Sequence, residues 1–119
     1  MKNVLTALAL TLVGATASAE DVLHIYNWAD YLPEETIESF QERCNCRIVY
    51  DVFSTNEELM AKLAAGARGY DILVPTDYAV SAMAQRGMLM ELDQTQLSNM
   101  SNLKPEFLDR PFDPGNRYS

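Results

Sequence analysis

Polar and aromatic side chains follow three apolar runs of this sequence. The segment NWADY (27–31) follows VLHIY, the segment STN (54–56) follows RIVYDVF, and the segment PTDY (75–78) follows YDILV. Together these segments contain an indole, two phenols, two carboxylates and several hydroxyl and amide groups. Carboxylates accept charge-assisted hydrogen bonds from a protonated amine, and aromatic faces attract cations. The combination therefore suits an ammonium-bearing ligand better than an anion.

Four of these side chains are the candidate ligand-binding residues: Trp28, Asp30, Tyr31 and Tyr78. We expect Trp28 and Tyr78 to cover the methylenes of an alkyl chain while Asp30 pairs with a terminal nitrogen. Tyr31 either hydrogen-bonds the ligand or braces its own loop. Structural alternatives exist as well, because Trp28 could pack on the core and Asp30 could cap a helix ahead of Pro33.

The apolar pattern alternates between strands and helices. The predicted order is a strand at 22–26, a helix from Pro33, a strand at 47–53, a helix ending near Gly66, a strand at 70–74, a helix ending near Gly87 and a strand at 88–92. This alternation predicts an α/β fold, a three-layer lobe with a mostly parallel sheet. Ligands of such sheets bind beyond the carboxyl ends of the strands, so the three polar segments should share one edge.

Helix-start signals account for some of the same polar residues. The segment STNEE (54–58) has capping-box spacing in two registers, serine with the first glutamate or threonine with the second. Thr76 or Asp77 is expected to cap the third helix, and for Asp77 a capping role is preferred to a ligand role. The first helix carries Ile37, Phe40 and Cys44 at spacings of three and four, which predicts an amphipathic helix with one apolar face.

Composition argues against catalysis and against nucleic-acid binding. The sequence has one histidine, no G-x-S-x-G elbow, no P-loop and no G-x-G-x-x-G pattern, so we predict no enzyme activity, no catalytic residue and no cofactor. A metal site is not expected either, because His24 stands apart from other ligand types. The acidic balance, with a net charge of −8, is unsuited to phosphate binding.

The first 19 residues have the pattern of a secretory signal peptide. Lys2 precedes an apolar stretch from Val4 to Val13, and Ala17-Ser18-Ala19 has the form of a cleavage site. We therefore expect an exported, soluble mature chain that starts at Glu20, with no membrane insertion. In that compartment Cys44 and Cys46 could form a tight disulfide, remain separate thiols or pair outside the chain.

Five motifs in unbroken order resemble the amino-terminal part of bacterial spermidine/putrescine-binding proteins. They are NWADYLPEETIESF, STNEELMAKL, YDILVPTDYAV, GMLMELD and NLKPEFLDRPFDPGNRYS. The resemblance implies the first lobe of a two-lobe periplasmic protein that holds a polyamine between its lobes and delivers it to an ABC-transporter permease. It also implies ligand-facing roles for Trp28, Asp30, Tyr31 and Tyr78, without choosing among polyamines.

The chief departure from that family is length, since its members run about three times as far and build a second lobe. Residues 20–119 are therefore expected to be an incomplete amino-terminal lobe, from a truncated or partial product. We expect it to bind polyamines in the millimolar range or not at all. The competing hypotheses are a two-lobe protein for another small solute and a sensory protein that contacts a receptor.

Overall fold

The computed structural model describes residues 20–119, so the predicted signal peptide lies outside the described residues. The fold is a three-stranded parallel sheet in which the strand Asp21–Trp28 lies between Cys46–Phe53 and Ile72–Leu73, which confirms the predicted α/β class. Its main elements are β1 (Asp21–Trp28), α1 (Glu34–Cys44), β2 (Cys46–Phe53), α2 (Asn56–Ala64), β3 (Ile72–Leu73) and α3 (Asp77–Gln85). Three short 3-10 helices follow, at Gln94–Gln96, Met100–Asn102 and Pro105–Phe107.

One face of the sheet, here called the core face, packs against α2 and α3. Tyr26 and Phe53 point to this face, and their rings meet edge to face with centroids 5.0 Å apart. Leu59 of α2 and Met83 of α3 are fully buried against them. Successive strand residues alternate between faces, so Trp28 lies on the same side of the sheet as Tyr26.

A polar cluster covers one end of this core. The Tyr70 hydroxyl donates to Oδ2 of Asp51 at 2.6 Å, and the Tyr70 ring stacks on Tyr26 with centroids 4.8 Å apart. Lys62 of α2 places Nζ 3.6 Å from Asp51 Oδ2 and 4.3 Å from the centroid of the Tyr26 ring. The cluster therefore joins α2 to the middle of β2 by charge as well as by packing.

The opposite face, here called the α1 face, is much less covered. Helix α1 forms over almost the predicted range, but it contains no buried residue, and Phe40 is 45% exposed. The side-chain oxygen of Gln41 accepts the backbone N–H of Ile48 at 2.7 Å. A Cys44–Cys46 disulfide joins the end of α1 to the start of β2, which resolves the question left open by the sequence.

Two boundaries differ from prediction. The predicted fourth strand at 88–92 is wrong: Met90 is 88% exposed, and the N–H of Leu92 donates to the carbonyl of Arg117 rather than to a strand. The third strand is only two residues long, although the N–H groups of Asp71 and Val74 still donate to carbonyls of β1. Helix α3 ends as predicted, with Gly87 at a φ of 64° just beyond it.

Segment 109–119 is organised around one buried carboxylate. Asp113 is 3% exposed, and its two oxygens accept the backbone N–H groups of Arg117, Tyr118 and Ser119. The Ser119 hydroxyl donates to the same carboxylate at 2.8 Å. Burial raises the pKa of Asp113, but these hydrogen bonds together outweigh it and hold the pKa below its ordinary value. Hydrogen bonds to this carboxylate, and not regular secondary structure, therefore order the segment.

Candidate functional site

The three polar segments do meet at one edge of the sheet. In the parallel register Trp28 pairs with Phe53, and Tyr26 pairs with Leu73, so β1 and β2 end level and β3 ends two residues earlier at the same edge. The N–H of Ala29 extends this pairing by donating to the carbonyl of Phe53 at 3.3 Å. We call the segments 27–31, 54–57 and 75–78 the strand-end rim.

Trp28 contributes to both the core and the rim. The indole is half-buried and packs against Phe53, with ring centroids 4.7 Å apart. Its other aromatic neighbour is Tyr31, whose ring centroid lies 6.1 Å away at an interplanar angle of 33°. Packing therefore uses part of the indole surface and leaves the rest at the rim, beside a second ring.

Asp30 is exposed and occupies the left-handed region, with a φ of 60°. Such a conformation is uncommon for a residue other than glycine, and aspartate tolerates it better than most. The helix-capping alternative does not hold, because Pro33 is the N-cap of α1 and the cap lacks a side-chain hydrogen bond. Within residues 20–119, no hydrogen bond or ion pair occupies the Asp30 carboxylate.

Tyr31 is 63% exposed, and its contact with the Trp28 ring is the interaction that orients it. Across the described part of the chain, its hydroxyl makes no hydrogen bond, so the alternative that Tyr31 braces its loop through the phenol oxygen is wrong. The hydroxyl is therefore available to a ligand.

Tyr78 lies in the first turn of α3 and is 49% exposed. Its hydroxyl donates to Oε1 of Glu57, in the first turn of α2, at 2.8 Å. This hydrogen bond raises the pKa of Tyr78 and lowers the pKa of Glu57, because it favours the protonated phenol and the charged carboxylate. Tyr78 thus reaches the rim as a neutral phenol that is tied to a charged partner.

Two residues that the sequence did not single out as a pair hold the α2 and α3 ends together. Nδ2 of Asn56 donates to Oγ1 of Thr76 at 2.9 Å, and the N–H of Thr76 donates back to Oδ1 of Asn56 at 3.1 Å. Asn56 is only 6% exposed. Its position directly after a strand was visible in the sequence, but its partner 20 residues away was not.

The caps of the two helices differ in detail from prediction. Thr55 caps α2 by accepting the N–H of Glu58, whose carboxylate accepts the N–H of Ser54, so the second predicted register is the one formed. For α3 the N-cap is Thr76, and Asp77 is the first helical residue, so the preferred capping role of Asp77 is wrong. The Asp77 carboxylate instead accepts the backbone N–H of Tyr78 at 2.7 Å.

The electrostatics of the rim are strongly one-sided. Its segments contain three acids and no lysine, arginine or histidine: Asp30, Glu57 and Asp77. The ion pairs of the described residues all lie elsewhere. Clustered like charges at a common edge attract cations and repel anions. Among residues 20–119, no group of three or more histidine, cysteine, aspartate and glutamate side chains is arranged to hold a metal ion.

The four predicted residues lie at the same edge of the sheet, but they are not all neighbours of one another. Trp28 and Tyr31 touch directly, and Asp30 lies between them in the chain. Tyr78 stands at the neighbouring helix end, and its hydrogen bond goes to Glu57 and not to the other three. A separate cavity of about 520 Å³ lies at the far ends of α2 and α3, lined by residues including Leu63, Arg68 and Arg86. That cavity shares no residue with the rim.

Residues 20–119 contain no helix long and apolar enough to cross a bilayer.

The chain is similar in sequence to curated proteins that are named for polyamine binding. The chain is 46% identical over 119 residues to the putrescine/cadaverine-binding protein of Pseudomonas aeruginosa, an alignment that covers 100% of this chain and 34% of the relative. It is 41% identical over 114 residues to the spermidine/putrescine-binding periplasmic protein of Salmonella typhimurium, which covers 95% of this chain and 33% of that protein. The chain thus spans about a third of the length of these curated relatives.

A solved structure and a family model also match this chain. The spermidine/putrescine ABC transporter substrate-binding protein PotD of Streptococcus pneumoniae matches with a TM-score of 0.79 at 36% identity, over 82% of this chain and 30% of that chain. The resemblance predicted from the five motifs is thereby confirmed. A family model described as hypothetical lipoprotein (MG045 family) matches residues 1–106, and the chain therefore belongs to this family.

Proposed function

We propose that this chain forms one lobe of a periplasmic polyamine-binding protein that delivers its ligand to the permease of an ABC transporter. The observation that carries the proposal is the exposed Asp30 carboxylate, which is unoccupied among the described residues and is flanked in sequence by the Trp28–Tyr31 ring pair. A protonated amine is the ligand group that uses both features at once. Binding, and not a chemical reaction, is the proposed activity.

Each rim residue has a distinct role in this proposal. Asp30 accepts hydrogen bonds from an ammonium group, while the rings of Trp28 and Tyr78 cover the alkyl chain between the two nitrogens of a diamine. Tyr31 supports the indole and offers its hydroxyl to the ligand. The relatives' names support putrescine, cadaverine and spermidine as the ligand class, periplasmic localisation and transport.

The expected affinity of these residues alone is low. A carboxylate–ammonium hydrogen bond contributes about 1.5–3 kcal/mol, and cation–π attraction adds roughly 0.5–2 kcal/mol. Micromolar binding needs about 8 kcal/mol, whereas millimolar binding needs about 4 kcal/mol. One carboxylate and its neighbouring rings therefore support millimolar binding, before the groups of a second lobe are counted.

The single tryptophan makes the test direct, because Trp28 lies at the rim and no second indole contributes to the emission. Putrescine added to the purified chain at constant ionic strength should change this emission with a dissociation constant in the millimolar range. Asp30→Asn should weaken binding about tenfold or more, because a charge-assisted hydrogen bond is lost. Glu38→Gln, which removes an exposed acid from α1, is the matched control and should leave the titration unchanged.

Two outcomes would contradict the proposal. Equal weakening by Asp30→Asn and Glu38→Gln would mean that only net charge matters. A response to glutamate or glucose with none to putrescine or spermidine would favour a protein for another solute. Micromolar affinity of the purified chain for putrescine would contradict the predicted weakness of the isolated rim.

A further inference from the structure

We propose that Glu57 is a positioning and specificity-determining residue that makes the Tyr78 oxygen an obligate hydrogen-bond acceptor toward the ligand. Glu57 takes the hydroxyl proton of Tyr78, so the phenol has only lone pairs left to offer. Ammonium groups can use those lone pairs, whereas carbonyl, ether or carboxylate oxygens cannot. This inference rests on the proposed function and adds a residue that selects ligand polarity.

The geometry of the pair is fixed by its surroundings. The hydroxyl–carboxylate distance is 2.8 Å, and both residues sit in first helical turns that begin directly after strand ends. The reciprocal hydrogen bonds between Asn56 and Thr76 lie one residue before Glu57 and two before Tyr78. Because Asn56 is buried, the two helix ends cannot separate without exposing or breaking these bonds. The phenol and the carboxylate are therefore held together before any ligand arrives.

The hydrogen-bond inventory of a phenol explains the selectivity. A tyrosine hydroxyl has one donor and two acceptor lone pairs, and an ionised carboxylate only accepts. Once the donor is committed to Glu57, both members of the pair present lone pairs and negative charge to the rim. The hydrogen bond also lowers the pKa of Glu57 and raises that of Tyr78, so at neutral pH the proton stays on the phenol. An anionic or acceptor-only ligand meets repulsion at this point.

Glu58 lies beside Glu57 in the same helical turn and carries the same charge, but its carboxylate has a different hydrogen-bond partner. Both glutamates favour the N-terminus of α2 through the helix dipole. The Glu58 carboxylate turns back to the N–H of Ser54 at 2.9 Å and makes no contact with Tyr78. Glu58→Gln is therefore a matched control that removes the same charge from the same helical turn.

The test compares Glu57→Gln with Glu58→Gln in the purified chain, using putrescine and the neutral isostere 1,4-butanediol as probes. Glu57→Gln should weaken putrescine binding about tenfold, because the Tyr78 hydroxyl is no longer held by a charged acceptor and can turn its proton toward the ligand, and should leave butanediol binding unchanged or improved. Glu58→Gln should preserve the preference for putrescine. Carbon-13 labelling of the tyrosine rings provides a second readout, in which the Tyr78 signal is assigned by its loss in Tyr78→Phe.

That readout does not depend on ligand. The phenol pKa of Tyr78 should fall in Glu57→Gln and stay at its parental value in Glu58→Gln, because only Glu57 accepts its proton. Equal loss of putrescine preference in both variants, or an unchanged Tyr78 pKa in Glu57→Gln, would overturn the inference while leaving the proposed function standing. Absence of putrescine binding by the parent chain would remove the proposed function and this inference with it.

Discussion

The two faces of the sheet contrast sharply, although the sequence predicts amphipathic helices for both. On the core face, Leu59 and Met83 are fully buried against Tyr26 and Phe53. On the α1 face, Val52 is 51% exposed, as is much of Phe40 in the helix that lies over it. The comparison shows that helical periodicity specifies which residues can be buried. Whether they are buried depends on a second element that packs against the helix, as α2 and α3 do against each other.

The strand-end rim is held in place by contacts with the core face. The α2 and α3 ends carry the Asn56–Thr76 and Glu57–Tyr78 pairs, and Trp28 packs on Phe53 of the core. The Asp30 loop connects this face to α1, so it is the junction between the packed and the open side. A binding surface that depends on aromatic positioning is better placed on the packed side.

The largest expected difference comes from truncating one apolar side chain on each face. Leu59→Ala should lower the free energy of unfolding by about 2–5 kcal/mol, because a fully buried side chain leaves a cavity. Phe40→Ala should cost about 1 kcal/mol or less, since the ring is already 45% exposed. Urea unfolding followed by circular dichroism measures both. Equal losses would mean that α1 packs as tightly as α2.

Removing one hydrogen-bonding side chain from each face should give a smaller difference in the free energy of unfolding, in the same direction. Asn56→Ala should cost about 1–3 kcal/mol, because it removes both hydrogen bonds between the buried Asn56 amide and Thr76. Gln41→Ala removes one hydrogen bond to Ile48 on the α1 face and should cost about 0.5–1.5 kcal/mol. The same urea titrations measure the two changes. A larger loss for Gln41→Ala would reverse the order of the two faces.

The smallest expected effect is a pH dependence located on the core face. Burial raises the pKa of Tyr26 above 10.0, and hydrogen bonding with Tyr70 raises the pKa of Lys62 above 10.5. A tyrosine with a raised folded pKa ionises first in the unfolded chain, and a lysine with a raised folded pKa loses its charge first there. Both groups therefore stabilise the fold at pH values below their ordinary pKa values. This stabilisation is lost as the pH rises through their raised pKa values in the folded state.

Tyr26→Phe should accordingly flatten the loss of stability above about pH 10, because one of the two groups no longer titrates. The measurement is the urea midpoint at a series of alkaline pH values, in the parent chain and the variant. An identical alkaline slope in both proteins would show that Tyr26 contributes nothing to this dependence.

The local part of the fold was predictable from the sequence. Strands rich in β-branched and aromatic residues, the Thr55–Glu58 cap and Gly87 beyond α3 all act within a few residues, and each is found as expected. Segment 88–92 had the length of a strand but lacks a strand partner among residues 20–119, and Leu92 pairs with Arg117 instead. Pairing is a property of the sheet, and the composition of one segment does not determine it.

The site was predictable in its residue types but not in its pairings. Trp28, Asp30 and Tyr31 could be placed at a strand end because they follow an apolar run directly. The hydrogen bond from Tyr78 to Glu57 spans 21 residues of sequence and depends on the register of three strands. The Cys44–Cys46 disulfide was likewise left open, because it depends on where α1 ends and β2 begins. The ligand-binding roles of the four residues remain predictions.

Residue-level mapping of putrescine binding tests the central claim most directly. Nitrogen-15 chemical shifts of the purified chain should move with millimolar putrescine at 27–31, at Glu57 and at 76–78, because these segments share the cation-attracting edge of the packed face. Residues 34–44 of α1 should not move. Shifts that are largest on α1, or in the cavity near Arg68 and Arg86, with none at the strand-end rim would contradict the account.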